Sequence, residues 1–257
     1  MKPPLIISNW KMKPESPADV RDILARADET LGELGDRKEY SLVFCPPFVF
    51  LDEVRELIRQ SHLLHDAELG AQDIAVSDDA VLTGEVSGPQ LVGSGVRYVI
   101  VGHSERRYAL GEDDATVNAK LKTVLRNGLV PIVCVGERSR SDGWHEELKE
   151  QVGATFAGLD APALDRCIVA YEPVWAISTN PGAQPDSPES AAASIAFVEG
   201  LLKEKGASPV LVYGGSVNPA NIASFLGAEG IRGVLIGGAS VRPDDYAAIL
   251  REVALIP

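Results

Sequence analysis

Short runs of consecutive apolar residues alternate along the chain with longer segments of helical periodicity. Eight runs rich in Val, Ile and Leu lie at residues 5–7, 42–45, 68–71, 98–101, 131–135, 167–171, 210–213 and 234–236. Because successive positions are apolar, and not only alternate ones, these runs are typical of strands buried on both faces of a parallel sheet. Strands that alternate with helices predict β–α–β crossovers and an α/β fold.

The segments between the runs carry helix start and stop signals. Serine–proline pairs at 16–17 and 187–188 place a capping hydroxyl before a proline at the first helical position. The asparagine–proline pair at 218–219 predicts the start of a further short helix in the same way. Gly128 predicts the end of a helix over 114–127. Periodicity alone leaves a closed eight-stranded barrel and an open doubly wound sheet as alternatives.

Length, charge and cysteine content restrict the class of protein. No linker, low-complexity tract or composition shift marks a second domain, so residues 1–257 are predicted to form one domain. The net charge of −13 argues against nucleic acid and membrane surfaces as partners, because both require a concentrated basic face. No signal peptide is expected, because the first ten residues pass directly into a strand-like run, and no apolar stretch approaches the roughly 20 residues that span a membrane. Its three cysteines lie in apolar runs and are expected to be buried free thiols, which favours a cytoplasmic location.

Polar residues follow three of the eight runs at the positions where α/β barrels carry catalytic groups. Asn9 and Lys11 follow the first run, His103 the fourth and Glu172 the sixth. Each has an ordinary structural explanation when taken alone: a surface lysine, a strand-end histidine, or a glutamate paired with an arginine. Together they supply a cation, an electrophile and a base, a set that suits proton abstraction next to a carbonyl group.

Glycine pairs follow the last two runs, at residues 214–215 and 237–238. Neither pair has the spacing of a dinucleotide fingerprint or a P-loop, and either one alone is equally well explained as a tight turn. Barrel enzymes that bind phosphate use the loops after strands seven and eight, because bare backbone lets amide groups approach an anion closely. Two pairs after consecutive strands therefore favour a phosphate site.

Eight short motifs are spread over nearly the whole chain. They are Asn-Trp-Lys-Met at 9–12, Cys-Pro-Pro-Phe at 45–48, Thr-Gly-Glu-Val-Ser at 83–87, Gly-His-Ser-Glu-Arg-Arg at 102–107, Cys-Val-Gly-Glu at 134–137, Tyr-Glu-Pro-Val-Trp-Ala-Ile at 171–177, Tyr-Gly-Gly-Ser-Val at 213–217 and Gly-Gly-Ala-Ser at 237–240. These motifs resemble those of the triosephosphate isomerase family and occur in the family's order. Any one of them could arise by chance, whereas the ordered set is specific.

The resemblance implies a single (β/α)8 TIM barrel, a closed sheet of eight parallel strands surrounded by helices. It implies an isomerase of glycolysis and gluconeogenesis that interconverts dihydroxyacetone phosphate and D-glyceraldehyde 3-phosphate through an enediolate, with no cofactor and no metal. Glu172 would be the general base, and a neutral His103 would polarise the carbonyl group. Lys11 would supply positive charge for the enediolate and the phosphate, while Asn9 hydrogen-bonds the same oxygen region.

The resemblance also assigns binding and supporting residues. Backbone N–H groups would hold the phosphate, those of Ser178, Ser216, Gly237 and Gly238. Glu105 is expected to support the site, and Cys134 and Glu137 are expected to be scaffold around Lys11 and His103. A homodimer is implied, with contacts from Thr83, Glu85 and Arg106.

Two segments depart from the family's pattern. In the lid that follows Glu172, Ser-Thr-Asn at 178–180 replaces the usual Gly-Thr-Gly, and the stretch 181–186 is longer than usual. The loss of two glycines restricts the φ/ψ changes that a hinge must absorb, so we expect a lid that closes by a modified route with activity retained. Ala80 and Leu82 depart from the pattern in the dimer loop.

Two alternatives remain at this point. One is another sugar-phosphate enzyme on the same fold, since fold does not fix function. An aldolase would need a Schiff-base lysine inside the barrel, whereas Lys11 is predicted to lie at its mouth. The other is a catalytically impaired barrel that binds a phosphometabolite or a protein partner. The presence of Lys11, His103 and Glu172 argues against a catalytically impaired barrel.

Overall fold

The computed structural model describes residues 3–35, 40–140, 143–177 and 182–256. Eight parallel strands form a closed barrel in chain order. The first strand completes the ring, because its Ile6 lies opposite Leu42 of the second strand and Val234 of the eighth. The prediction of a closed (β/α)8 barrel is thereby confirmed, and the open sheet is excluded. The strands are β1 Leu5–Asn9, β2 Ser41–Cys45, β3 Glu68–Ala71, β4 Tyr98–Val101, β5 Val130–Val135, β6 Ile168–Tyr171, β7 Val210–Tyr213 and β8 Gly233–Ile236.

Helices connect the strands and cover the outside of the barrel. Within the described ranges they are α1 Pro17–Leu34, α2 Leu51–Gln60, α3 Gly88–Gly93, α4 Ser104–Ala109, α5 Asp114–Arg126, α6 Trp144–Thr155, α7 Ala161–Leu164, α8 Pro188–Lys203, α9 Ile222–Leu226 and α10 Pro243–Val253. Ser16 and Ser187 cap α1 and α8 as predicted, each accepting a hydrogen bond from a backbone N–H of the first turn. None of these helices is long and apolar enough to cross a membrane.

The helix predicted to start at Asn218-Pro219 begins later than expected. Asn218 folds into a turn, in which its side-chain oxygen accepts the N–H of Ala220 and its own N–H donates to the side chain of Asn221. The helix α9 starts only after Asn221. Asparagine side chains imitate a backbone turn readily, so this signal marked a turn and not a cap.

The barrel has two apolar layers, because side chains alternate between the two faces of each strand. One set of buried side chains packs between the sheet and the helices, Ile6 and Tyr171 among them. The other set fills the barrel interior and consists of Ile7, Val43, Cys45, Ile100, Ile132, Cys134, Ile168, Ala170, Val212 and Leu235. The interior is therefore a packed core, and an open site can form only at an end of the barrel.

Candidate active site

The alternation of the strands directs particular residues into the mouth at the carboxyl end of the barrel. Ile7, Ala170, Val212 and Leu235 point inward. The residues two positions further along therefore continue on the interior side. These residues are Asn9, Glu172, Gly214 and Gly237. Four of the sequence-predicted site positions thus converge, because each continues the inward-facing alternation of its strand.

Glu172 lies directly after β6 and is almost completely buried, with 2% of its surface exposed. One carboxylate oxygen, Oε2, accepts the backbone N–H of Ser104 at 3.0 Å. The other, Oε1, lies 3.2 Å from Nε2 of His103. Its own backbone N–H donates to the carbonyl of Val135 at 2.8 Å, which fixes the start of the segment that leaves the barrel.

His103 is buried between β4 and α4, and its hydrogen bonds define its tautomer. The backbone N–H of Glu105 donates to Nδ1 at 3.2 Å. Because a backbone N–H can only donate, Nδ1 carries no proton, and the neutral imidazole bears its proton on Nε2. That N–H faces the mouth and the Glu172 carboxylate. The neutral state of His103 stays a prediction; the structure adds that its Nδ1 accepts a hydrogen bond in the first turn of α4.

Lys11 has φ of 53°, the left-handed region that side-chain-bearing residues rarely adopt. Its N–H donates to the side-chain oxygen of Asn9 at 3.1 Å. Its ammonium group is 2.5 Å from a carboxylate oxygen of Glu105. Trp10, which is buried against Phe44, fixes the chain just before this turn. The end of β1 therefore holds the backbone of Lys11, and the first turn of α4 holds its ammonium group at the mouth.

Glycines allow these side chains to pack closely around the mouth. A Cβ atom on Gly214 would lie 2.7 Å from Cγ of Glu172, and one on Gly136 would lie 1.9 Å from the Glu172 carbonyl oxygen. A Cβ atom on Gly237 would lie 3.3 Å from Cε of Lys11. The end of β8 therefore borders the lysine side chain, which brings the second glycine pair next to a cation.

The candidate phosphate loops lie beside this cluster. Gly238 begins a short 3-10 helix, Gly238–Val241, and Gly237 and Gly238 are at least partly accessible. The hydroxyl of Ser216 donates to the carbonyl of Ala176 at 2.8 Å, which links the loop after β7 to the segment after Glu172. Ser178 lies outside the described residues, as does the rest of the Ser-Thr-Asn replacement.

Of the expected scaffold residues, Glu105 and Cys134 lie at the site and Glu137 does not. Cys134 is buried in the barrel interior, where burial and the neighbouring Glu172 carboxylate raise the pKa of its thiol well above the usual range. Glu137, expected near Lys11 and His103, instead accepts hydrogen bonds from Tyr171 and from Trp175, at 2.8 and 2.9 Å. Burial and the Glu137 charge raise the pKa of the Tyr171 hydroxyl.

Sequence reasoning missed two contributors to this region. One is the backbone N–H of Ser104, which donates to Glu172. It lies inside the motif at 102–107, from which only side-chain roles were predicted. The other is Arg140, whose guanidinium donates to the Glu137 carboxylate at 3.0 Å. No motif marked Arg140, because its partners besides Glu137 come from distant segments: β6, the segment after Glu172 and α8.

The residues expected at a subunit contact lie together on one side of the barrel. Thr83 and Glu85 belong to the stretch 79–85, in which every residue is exposed. Arg106 contacts Asp73, at the base of this loop, at 2.8 Å. Lys120 bonds the same carboxylate through both oxygens, at 2.8 and 2.7 Å. A buried ionic cluster thus holds the base of the loop, while its tip is exposed.

Comparison with known proteins identifies the family. The family model described as Triosephosphate isomerase matches residues 4–253. A triosephosphate isomerase from Chloroflexus aurantiacus is 43% identical over 230 residues, covering 86% of this chain and 88% of that protein. One from Roseiflexus castenholzii is 37% identical over 227 residues, covering 86% of each. The crystal structure of triosephosphate isomerase from Bartonella henselae superimposes with a TM-score of 0.79 at 31% identity, covering 97% of this chain and 98% of that one. This chain therefore belongs to the triosephosphate isomerase family.

Proposed function

We propose that Glu172 is the general base and His103 the electrophile with which this single-domain enzyme interconverts dihydroxyacetone phosphate and D-glyceraldehyde 3-phosphate. The interconversion itself follows from the family, and the assignment of roles is our proposal. The observation that carries it is the 3.2 Å approach of the Glu172 carboxylate to His103 Nε2 in a buried mouth. A base can take the proton from a carbon next to a carbonyl group while a neighbouring hydrogen-bond donor polarises that carbonyl.

The reaction moves one proton between neighbouring carbons without net oxidation. Glu172 takes a proton from C1 of dihydroxyacetone phosphate, and the electron pair of the broken C–H bond passes to the carbonyl oxygen at C2. The Nε2–H of His103 donates to the oxygen on which charge develops, and Lys11 adds a positive charge nearby. The protonated Glu172 then returns the proton to C2, while the proton of the C1 hydroxyl passes to the oxygen at C2, so that C1 becomes the aldehyde and C2 bears the hydroxyl.

The present contacts of Glu172 bear on how it reaches the substrate. Both carboxylate oxygens have partners, the Ser104 N–H and His103. To abstract a proton, one oxygen must leave its partner and approach carbon. The lid segment leaves the barrel directly after Glu172, so a movement of that segment would carry the base with it. The phosphate would be bound by backbone N–H groups of Ser216, Gly237 and Gly238 and, in the lid, Ser178.

Two substitutions to glutamine test these roles. We expect Glu172→Gln to lower kcat for D-glyceraldehyde 3-phosphate by roughly 10²–10⁴-fold, because the amide cannot accept the proton. We expect His103→Gln to lower kcat with a smaller effect on KM, because its bond strengthens as charge develops. Turnover would be followed in a coupled assay, with circular dichroism to verify folding. Full activity in a folded Glu172→Gln variant would contradict the assignment.

We also propose that the chain forms a homodimer through the exposed loop. The loop contains Val81 and Leu82, which are 99% and 57% exposed, and Met12 beside Lys11 is 91% exposed. Apolar side chains this accessible favour burial against a partner, and the buried ionic cluster at the loop's base would keep the loop presented. A partner covering Met12 would also restrict the turn that holds Lys11.

Size-exclusion chromatography with light scattering tests this assembly. Val81→Asp should give a monomer with reduced turnover, whereas Leu255→Asp, at a leucine exposed outside the loop, should leave the mass unchanged. A dimeric mass for Val81→Asp would argue against the loop as the contact.

A cytoplasmic location is our further proposal, supported by the free thiols of Cys45, Cys134 and Cys167, which suit a reducing compartment.

A further inference from the structure

The short helix α4 supplies two of the hydrogen bonds that orient the site. In its first turn, the Ser104 N–H donates to Glu172 at 3.0 Å, and the Glu105 N–H donates to Nδ1 of His103 at 3.2 Å. The helix has only six residues. A helix this short gains little stability from its own backbone bonds, so contacts with the rest of the protein must fix its position.

Arg107 is the buried charged residue of this helix. Ser104 and Arg107 are the two buried residues of α4, and the side chain of Arg107 is 6% exposed. Apolar side chains normally occupy the inward face of a surface helix. A buried guanidinium is costly to desolvate unless its donors find directed partners. The position of α4 therefore depends on the bonds that Arg107 makes.

The guanidinium of Arg107 reaches back to the end of β4 and across to the end of β5. Its Nε donates to the Gly102 carbonyl at 2.7 Å, and its Nη2 donates to the Cys134 carbonyl at 3.3 Å. Gly102 directly precedes His103, and the next carbonyl of β5 accepts the backbone N–H of Glu172 at 2.8 Å. Arg107 thus binds the two strand ends that place the histidine and the glutamate.

Two outer helices supply the remaining partners of this guanidinium. Nη1 donates to Oδ1 of Asp114 in α5 at 2.6 Å, and Nη2 donates to the hydroxyl of Thr155 in α6 at 3.2 Å. The Thr155 hydroxyl donates in turn to the same oxygen of Asp114 at 3.1 Å. A planar group with several donors in fixed directions can make all of these bonds at once, which an ammonium group cannot.

The backbone at Gly102 makes room for this contact. Its φ of 70° lies in the left-handed region, which glycine adopts readily. A Cβ atom there would lie 2.9 Å from Nη2 of Arg107 and 2.7 Å from Cγ1 of Val117. Glycine therefore permits both the turn of the chain and the close approach of the guanidinium just before His103.

We infer that Arg107 is a positioning residue that holds α4 against the ends of β4 and β5 and thereby orients His103 and Glu172. The inference rests on the roles proposed above for those two residues. The bonds of Arg107 go to backbone carbonyls and to α5 and α6, so its effect reaches the site through the Ser104 and Glu105 N–H groups. The loops after β7 and β8, which are proposed to bind phosphate, are not among its partners.

Steady-state kinetics of Arg107→Met tests this inference. Methionine keeps a long unbranched side chain but removes every donor, so α4 and its two N–H groups should shift. A displacement near 1 Å costs about 10²-fold in rate, so we expect kcat for D-glyceraldehyde 3-phosphate to fall by about that factor. KM should change little, because the proposed phosphate loops are untouched. Arg166→Met is the matched control: Arg166 donates to the Leu125 carbonyl at 3.4 Å at the opposite end of the barrel, and its loss should leave kcat and KM unchanged.

A second comparison separates positioning from a general loss of stability. Since Arg107 acts in part through His103, Arg107→Met should cost less than about tenfold in kcat when His103 is already glutamine, as expected for residues in one network. Leu148→Ala, at a buried leucine of α6, should lower the melting temperature and leave kcat unchanged below the unfolding transition. A purely structural role of Arg107 would give the same loss of kcat with and without the His103 side chain.

Milder variants keep the inference testable where Arg107→Met does not fold. Arg107→Lys keeps the charge with fewer directed donors and should give an intermediate kcat. Thr155→Val removes one acceptor with almost the same shape and should give a smaller loss. Unchanged kcat in the folded Arg107 variants, or equal losses with and without the His103 side chain, would overturn the inference. Absence of turnover in the unsubstituted chain, or full activity of Glu172→Gln, would instead refute the proposed function, so the two failures are distinguishable.

Discussion

Replacing Gly214 with alanine should disable the site through a single added methyl group. The new Cβ would lie 2.7 Å from Cγ of Glu172 and 3.3 Å from the carbonyl oxygen of Tyr171. Ordinary carbon–carbon contact begins near 3.5 Å, so the Glu172 side chain must move by about 0.8 Å. The backbone oxygen is fixed in the sheet, which leaves the carboxylate as the group that yields. Its bonds to the Ser104 N–H and His103 would then change length together.

A displacement close to 1 Å at a reacting group costs about 10²-fold in rate, so we expect kcat to fall by that factor. Overpacking should cost about 1–3 kcal/mol in the free energy of unfolding, which leaves the variant folded. The coupled assay would measure kcat and KM, and urea titration would measure stability. Gly153→Ala is the control, because a Cβ there meets nothing within 4 Å. Unchanged kcat in a folded Gly214→Ala variant would refute the reasoning.

Three further predictions concern stability and reactivity. Lys120→Met should lower the free energy of unfolding by about 1.5–3 kcal/mol in urea titration, since it removes two charged hydrogen bonds from the buried Asp73 carboxylate and leaves it the contact with Arg106; a loss below about 1 kcal/mol, typical of surface pairs, would contradict this. Burial raises the pKa of Glu112, but hydrogen bonds from Arg106 and Lys120 outweigh it and hold that pKa below its ordinary 4.5. The stabilisation is therefore present above pH 4.5 and lost as pH falls through the lowered value, so Glu112→Gln should flatten the acid limb of stability against pH; equal slopes would argue against it. The thiols of Cys45, Cys134 and Cys167 should resist iodoacetamide until urea unfolds the chain, because burial raises the pKa of each. Mass spectrometry would read the labelling, and labelling of the folded chain would count against this prediction.

The strands could be predicted from sequence because burial on both faces produces uninterrupted apolar runs. The run 68–71 became β3 Glu68–Ala71 without change, and 234–236 gained only Gly233. Closure of the barrel could not be predicted from the runs, because it depends on the pairing of β1 with β8 across more than two hundred residues. The family resemblance supplied it, and the register between those strands confirms it.

The site was predictable where its residues follow strands and less so where it depends on contacts between distant loops. Asn9 and Glu172 follow from strand phase alone. The bond between Glu137 and Trp175 does not, since it forms only when the loops after β5 and β6 fold together. Asn218 shows the local limit, because the same asparagine chemistry serves a helix cap and a turn.

The left-handed backbone conformation of Lys11 lowers the stability of the fold while it places the proposed catalytic cation at the mouth. A non-glycine residue in this region costs on the order of 1–3 kcal/mol, and the bond that the Lys11 N–H donates to Asn9, together with the packing of Trp10 on Phe44, maintains it. Lys11→Gly would relieve the backbone and remove the cation, so the expected product is a more robust protein that has lost its chemistry. Backbone stability and the proposed role of Lys11 in turnover are thus opposed at this position, and a screen for thermal stability alone would favour replacement of the lysine.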